Sequence, residues 1–209
     1  MNRQQAVAKF AENQQTKKEQ EVLSVASEYF LSHGYKGTSI NAMARDSGIS
    51  KESIYRYFSS KKDLFEAVIA KELTEYQEKF EFLTVEHDSM ALDEALRATA
   101  ESMLFAVSSD RTLALRRLIF HESVRSPDIG EYYYDVGPRQ AYKYLETIFA
   151  AHQSETDFEP EILSRHFVAL AMHYMMLQRE CGIRKALTRP QIKKLSADVT
   201  ADFLKAFFR

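Results

Sequence analysis

The chain has 209 residues, of which 45% are hydrophobic and 28% charged, which is enough apolar material for a buried core and excludes a disordered chain. Six glycines and four prolines are too few for a turn-rich all-β protein, so the composition favours an all-α fold, which we predict to have about nine helices. The formal net charge of −2 excludes a general polyanion binder, but residues 1–65 hold 10 Lys and Arg against 7 Asp and Glu, so a nucleic-acid contact is expected at this end.

The single cysteine, Cys181, excludes an internal disulfide framework and a zinc site built from several cysteines. The first twenty residues lack the apolar stretch of a secretory signal, and the longest apolar run, from Phe167 to Leu177, is interrupted by His173. We therefore expect a cytoplasmic protein with no membrane partner, no metal and no cofactor.

The first predicted helix follows an arm rich in Gln, Lys and Asn that spans residues 1–18. From Glu19 onward, apolar residues such as Leu23, Ala26 and Phe30 recur at helical spacing. The pattern stops at Gly34, where we expect glycine to provide a left-handed C-cap.

Two short helices are predicted next. Thr38 is the expected N-cap of a helix of about ten residues that ends before Gly48, and Ser50 is the expected N-cap of a third helix with Ile54 and Phe58 on one face. Because Gly48 permits the positive φ of a tight turn, the segment has the pattern of a helix-turn-helix.

The outer face of the third helix mixes hydrogen-bond donors, acceptors and aromatic rings. Such side chains suit phosphates and base edges in the major groove of DNA. Spacing alone leaves a second interpretation open, in which the segment is a small helical hairpin with a polar face. The outward residues are Lys51, Glu52, Ser53, Tyr55, Arg56 and Tyr57.

Helical periods continue to the end of the chain. A fourth helix starts after Ser60 and runs to about Leu83, so a helix of about 60–83 links the two parts of the chain. Proline and glycine positions divide the rest into helices near 90–108, 111–125, 138–152, 160–180 and 190–208, with a short tyrosine-rich helix before Pro138.

Residues 38–65 resemble the helix-turn-helix signature of the TetR family of bacterial transcriptional repressors. Residues 115–145 resemble the C-terminal domain of its AefR-like subgroup. The matching signature positions are Thr38, Gly48, Ile49, Ser50, Ile54, Tyr55, Phe58, Lys61 and Leu64. The composition of residues 1–18 predicts a flexible arm or a frayed helix start. The resemblance implies a DNA-binding domain at 19–65 and an effector-binding and dimerisation domain at 66–209.

Roles for single residues follow from the same resemblance. It implies phosphate contacts from Thr38, Tyr55, Tyr57 and Lys61. It implies base reading by Lys51, Glu52 and Ser53, with Ser39, Ser50 and Arg56 completing the set. For Glu52 an alternative stays open: this carboxylate could instead favour its own helix dipole or pair with Arg56 one turn later.

Polar groups within apolar faces of the C-terminal part are candidate effector contacts, because deformable methionines and convergent polar groups suit a permissive apolar site. The alternative is that the histidines are ordinary core or surface groups and the methionines fill the core. The candidates are Phe105, Phe120, His121, Tyr133, His166, His173 and Met176.

The last two helices, at about 160–180 and 190–208, have apolar residues on more than one face, which favours a homodimer through a four-helix bundle. We expect a ligand-responsive homodimeric repressor that binds a near-palindromic double-stranded DNA operator and a small apolar or amphipathic effector. The alternative is a helical ligand- or protein-binding module without operator recognition. An enzyme is disfavoured, because the six glycines form no phosphate-binding loop and His121-Glu122 lacks the second histidine of a zinc protease.

Overall fold

The computed structural model describes residues 17–78 and 90–209. All regular secondary structure in these ranges is helical, as ten α-helices and one 3₁₀ turn, which confirms the all-α prediction. Most of the predicted arm and the predicted end of the fourth helix near Leu83 lie outside the described residues.

The helix bounds follow the sequence pattern closely. Proline opens several of the later helices, as its fixed φ favours. The helices are α1 (Lys17–Gly37), α2 (Ile40–Ser47), α3 (Lys51–Tyr57), α4 (Lys61–Glu78), α5 (Leu92–Ser108), α6 (Asp110–Ser123), α7 (Pro127–Val136), α8 (Pro138–Ala151), the 3₁₀ turn Gln153–Glu155, α9 (Pro160–Glu180) and α10 (Arg189–Phe207).

The described chain divides into two compact units. The N-terminal unit contains residues up to Glu75 together with Ala114–Gly137, and the C-terminal unit contains Tyr76–Leu113 and Pro138–Arg209. The division by contacts thus places most of α6 and all of α7 with the N-terminal helices. The functional boundary expected near residue 65 stays a prediction.

The N-terminal unit is built around one apolar core. Leu23, Phe30, Met43, Ile54 and Phe65 are each at most 1% exposed, because their helical spacing puts them on inward faces. α6 and α7 contribute further buried residues to the same core, namely Leu115, Ile119, Ile129, Tyr132 and Val136. The core of the helix-turn-helix therefore includes side chains that lie far along the sequence.

The C-terminal unit is a helical bundle in which α5 packs on α9 and α10, and α8 packs on α9. Three fully buried rings, Phe149, Phe167 and Phe203, contact one another with centroids 5.0–6.4 Å apart. Arg179 is buried near the end of α9 and donates to the carbonyl oxygen of Ser108 at the end of α5. Arg179 Nε also donates to the carbonyl oxygen of Val107 at 3.4 Å, so this buried guanidinium bonds to the last turn of α5, where a helix leaves carbonyl groups without intrahelical partners.

Candidate nucleic-acid interface

The helix-turn-helix is formed by α2, the turn at Gly48 and α3. Gly48 has φ 72° and ψ 6°, the left-handed conformation predicted for this turn. Ser50 caps α3, because its Oγ accepts a hydrogen bond from the backbone N–H of Ser53 at 3.1 Å. Both local predictions are confirmed.

The predicted N-cap of α2 is wrong by one residue. Ser39, in an extended conformation, is the N-cap, and its Oγ accepts from the backbone N–H of Ala42 at 3.4 Å. Thr38 is instead only 2% exposed, and its hydroxyl donates to the carbonyl oxygen of Gly34 at 2.7 Å. The inward orientation of Thr38 places Ser39, rather than Thr38, on the exposed start of α2.

Gly34 ends the regular part of α1 in a conformation that differs from the expected left-handed cap. Its φ of 73° is positive, but its ψ of 169° lies in a region that essentially only glycine adopts. The three residues after it continue as one further turn to Gly37. Glycine is required here because of this backbone geometry.

The outer face of α3 presents the side chains expected to read DNA. Lys51, Glu52, Tyr55 and Arg56 are exposed, and the ammonium of Lys51 lies 5.7 Å from the centroid of the Tyr55 ring. Within the described structure Glu52 forms no ion pair with Arg56, so the alternative pairing is not observed. Both charged groups therefore point to solvent, where a duplex could meet them.

Ser39 and Ser50 of the predicted DNA-binding set are exposed as well, whereas three further members are less exposed. Ser53 and Tyr57 are half-buried, and the hydroxyl of Ser50 donates to that of Ser53 at 3.0 Å. Lys61 is half-buried as well, and its ammonium donates to the carbonyl oxygens of Tyr35 at 2.8 Å and Thr38 at 3.0 Å. These internal bonds of Lys61 are long-range in sequence and were not predicted.

Two exposed polar residues of α2 are further candidates for DNA contact and were missed in the sequence. Asn41 lies in its first turn and Arg45 in its last, where the Arg45 side chain is 76% exposed. Asp46 accepts from Arg45 Nε at 2.9 Å and from the Tyr29 hydroxyl at 2.5 Å, and these hydrogen bonds lower the pKa of its carboxyl group. The signal for Arg45 was the basic window of residues 35–62, with six Lys and Arg against two Asp and Glu.

The predicted effector contacts divide between the two units. Phe120, His121 and Tyr133 belong to the N-terminal unit, where the Phe120 and Tyr133 rings meet edge to face with centroids 6.1 Å apart. His121 is exposed. The Phe120 ring also lies 5.3 Å below the guanidinium of Arg116.

The other four effector candidates belong to the C-terminal unit. Phe105 and Met176 are half-buried and pack against one apolar cluster, so the structure brings these two together. His166 and His173 are exposed on α9, and the His166 ring stacks on Phe207 at 5.1 Å. An effector role for any of them stays a prediction.

One face of α9 is apolar and exposed. Ile162, Leu170, Tyr174 and Leu177 are 41–66% exposed and recur at helical spacing. Exposed apolar residues at helical spacing are typical of a protein interface.

No helix in the described ranges of the chain has the length and apolarity to cross a membrane. No group of three or more His, Cys, Asp or Glu side chains in the described residues is arranged to hold a metal ion.

Two family models match the chain. The model described as bacterial regulatory proteins, tetR family, matches residues 22–68, which contain α2, α3 and the turn between them. The model described as AefR-like transcriptional repressor, C-terminal domain, matches residues 94–208, more than half of the chain. Both agree with the resemblance seen in the sequence.

The chain is also similar to individual proteins that are named transcriptional regulators. The HTH-type transcriptional regulator SAB2452 of Staphylococcus aureus (strain bovine RF122 / ET3-1) is 24% identical over 167 residues, covering 77% of this chain and 85% of that protein. A solved TetR-family regulator from Mesorhizobium loti MAFF303099 has a TM-score of 0.78 at 20% identity, covering 95% of this chain and 100% of its own.

The solved structure of the flavonoid-responsive regulator FrrA is similar as well. It is 28% identical with a TM-score of 0.74, and it covers 93% of this chain and 98% of its own. Together the matches favour a regulator over the alternative of a helical binding module without operator recognition.

Proposed function

The chain belongs to the TetR family of DNA-binding transcriptional regulators. We propose that it acts in the cytoplasm as a homodimeric repressor and that a small effector weakens its binding to an operator. The observation that carries this proposal is the exposed polar face of α3, held by the Ser50 cap and the Gly48 turn. A short, rigid, solvent-facing helix with this composition fits the major groove.

On the DNA, we assign the exposed charged groups of α3 to base edges. Lys51 would donate to guanine O6 or N7, and Glu52 would accept from cytosine N4. Arg56 is free of an ion pair with Glu52 in the described residues, which leaves its guanidinium available for a base or a phosphate.

Phosphate contacts would come from groups around the two helix starts. Ser39 and Ser50 cap α2 and α3, and the first backbone N–H groups of a helix attract anions. The phenolic groups of Tyr55 and Tyr57 are further donors, one exposed and one half-buried. These contacts would fix the register of α3 without reading sequence.

Dimerisation is assigned to the apolar face of α9 with α10 beside it. Ile162, Leu170, Tyr174 and Leu177 expose more apolar surface on one stripe than a solvent-facing helix requires. Two copies that pair these faces across a two-fold axis would form a four-helix bundle. The two α3 helices would then enter successive major grooves, about 34–36 Å apart.

The effector is proposed to be a small apolar or amphipathic molecule bound within the region that matches the AefR-like C-terminal domain. FrrA is named a flavonoid-responsive regulator and shares 28% identity with this chain, so flat phenolic compounds are the first class to test. By linkage, an effector weakens DNA binding only to the extent that it prefers the conformation with low DNA affinity.

Footprinting with the full-length chain on the DNA that flanks its own gene tests the proposal. We expect a protected segment with two symmetric halves at moderate salt, and loss of protection when an active phenolic compound is added. A chain that protects no segment at moderate salt would contradict the repressor function.

A further inference from the structure

We propose that Lys61 and Thr38 are positioning residues, which lock the connection between α1 and α2 and thereby hold Ser39 and the first turn of α2 against DNA. The family resemblance assigns phosphate contacts to both residues. The structure gives both of them internal partners instead. This inference rests on the proposed DNA-binding function, and it concerns the residues that keep the DNA-binding surface in its conformation.

The ammonium group of Lys61 is occupied on three sides. It donates to the carbonyl oxygen of Tyr35 at 2.8 Å and to that of Thr38 at 3.0 Å. It also lies 4.6 Å from the centroid of the Tyr35 ring, within the range of a cation–π interaction. Since an ammonium group has three donors, little of its bonding capacity is left for a phosphate.

The aromatic ring beneath Lys61 is itself fixed. The Tyr35 ring packs against Phe30 and Phe65, with centroids 5.9 Å and 5.0 Å apart. Phe30 and Phe65 are fully buried and contact each other. The lysine is therefore anchored to the core that joins α1 to α4.

Thr38 closes the other side of the connection. Its hydroxyl donates to the carbonyl oxygen of Gly34 at 2.7 Å and lies 3.2 Å from that of Tyr29. Its backbone N–H donates to the same Gly34 oxygen at 3.1 Å. Gly34 has non-helical φ and ψ, but its carbonyl oxygen keeps the bond to the N–H four residues later, and the Thr38 hydroxyl is a second donor to the same oxygen.

Together, the two side chains reach the carbonyl oxygens of Tyr29, Gly34, Tyr35 and Thr38. Ser39 follows directly and caps α2. With two N–H groups bonded to carbonyl oxygens, the Lys61 ammonium has at most one N–H left for a phosphate unless a carbonyl bond breaks, and hydrogen bonds to a charged group are among the stronger ones in a protein. Lys61 and Thr38 therefore affect DNA binding indirectly, because they fix the position of Ser39.

The matched variants Lys61→Met and Lys62→Met test this in the full-length chain, since both remove one charge from neighbouring positions of α4 and keep an aliphatic stem. The probe is a mixed-sequence DNA duplex of about 40 bp, and the dependence of log Kd on log salt counts phosphate contacts at about 0.9 per contact. We expect equal salt slopes, with Lys61→Met binding about tenfold more weakly at temperatures where both variants are folded.

Thermal unfolding provides the second readout. Lys61→Met should lower Tm by roughly 4–8 °C, because two charge-assisted hydrogen bonds are lost, whereas Lys62→Met should lower it by no more than about 2 °C. Lys61→Arg, which keeps the charge and can still donate to carbonyls, should recover most of the lost affinity.

A salt slope for Lys61→Met that is smaller than that of Lys62→Met by about 0.9 would identify a phosphate contact and overturn the proposal. Equal affinities of the two methionine variants would overturn it as well. If Lys61→Met does not fold, the same comparison is made with Thr38→Val, which removes a hydroxyl without changing charge. A wild-type chain that binds no duplex would contradict the proposed function. The difference in Tm between the two methionine variants would then be the remaining test of whether Lys61 holds the connection between α1 and α2.

Discussion

Lys62 and Asp128 form an ion pair that joins the first turn of α4 to the first turn of α7. Glu66 lies one turn further along α4, 3.5 Å from the same ammonium group. The ion pair raises the pKa of Lys62 and lowers that of Asp128. It thus ties a segment of the matched C-terminal domain to the helix that follows the DNA-reading helices, within one compact unit.

Asp128→Asn should lower the free energy of unfolding by about 0.5 kcal/mol at pH 7, the usual value for a solvent-exposed pair. A lowered carboxyl pKa stabilises the fold above the ordinary value of about 4, and this stabilisation is lost as the pH falls through the lowered value. Because the pKa of Lys62 is raised, its contribution to the stability of the fold is fully present below about pH 10.5 and is lost as the pH rises through the raised value. Urea unfolding of the wild-type chain and of Asp128→Asn at pH 7 and pH 3 measures the free energies, and the difference between the two chains should be smaller at pH 3.

A double-mutant cycle with Lys62→Met separates the pair from other effects of Asp128. The losses of the two single variants should not add, with a coupling of about 0.5 kcal/mol. Additive losses, or a wild-type advantage over Asp128→Asn that is as large at pH 3 as at pH 7, would show that the ion pair does not stabilise the unit.

Ser50→Ala should destabilise the chain by about 1 kcal/mol, because the N–H of Ser53 loses its capping oxygen at 3.1 Å. Ser39→Ala is the matched control, since its capping bond is longer, at 3.4 Å, and its loss should be smaller. Chemical denaturation of both variants checks the order. A larger loss for Ser39→Ala would contradict the cap geometry described for α2 and α3.

Lys51→Ala should relax the preference at one base-pair position, with a loss of about 1–3 kcal/mol in discrimination against the wrong base. Lys143→Ala removes the same charge from an exposed position of α8 and should leave the sequence preference unchanged. Selection from a randomised operator pool with each variant measures the preference. An unchanged preference in Lys51→Ala would exclude this residue from base reading.

Leu170→Glu or Tyr174→Glu should convert the proposed dimer into monomers, because each puts a charge into the apolar face of α9. Val124→Glu is the control, since Val124 is 82% exposed but lies in the N-terminal unit. Sedimentation equilibrium of the three variants gives the masses. The assignment of the interface fails if Leu170→Glu and Tyr174→Glu remain dimeric.

Features set by neighbouring residues could be predicted from the sequence. The Gly48 turn, the Ser50 cap and the inward face of α3 at Ile54 and Phe58 depend on spacings of three to eight residues. The N-cap of α2 was misplaced by one residue because Thr38 and Ser39 are both good caps, and only the inward hydrogen bonds of Thr38 decide between them.

Features set by distant residues could not be predicted in this way. Lys61 bonds to carbonyl groups 26 and 23 residues earlier in the chain, and Ile129 joins a core that begins in α1. The effector candidates belong to two different units, and the sequence does not show this for the same reason. Phe120 and His166 were chosen from local polarity, but the packing of whole helices decides which unit each one joins.

Operator recognition by a homodimer is tested most directly by selecting DNA from a random duplex pool with the full-length chain and sequencing the bound fraction. We expect one enriched, near-palindromic sequence whose two halves are centred about 34–36 Å apart along the duplex. An enriched pool without two-fold symmetry would contradict the homodimeric reader, and a pool without any enriched sequence would contradict operator recognition itself.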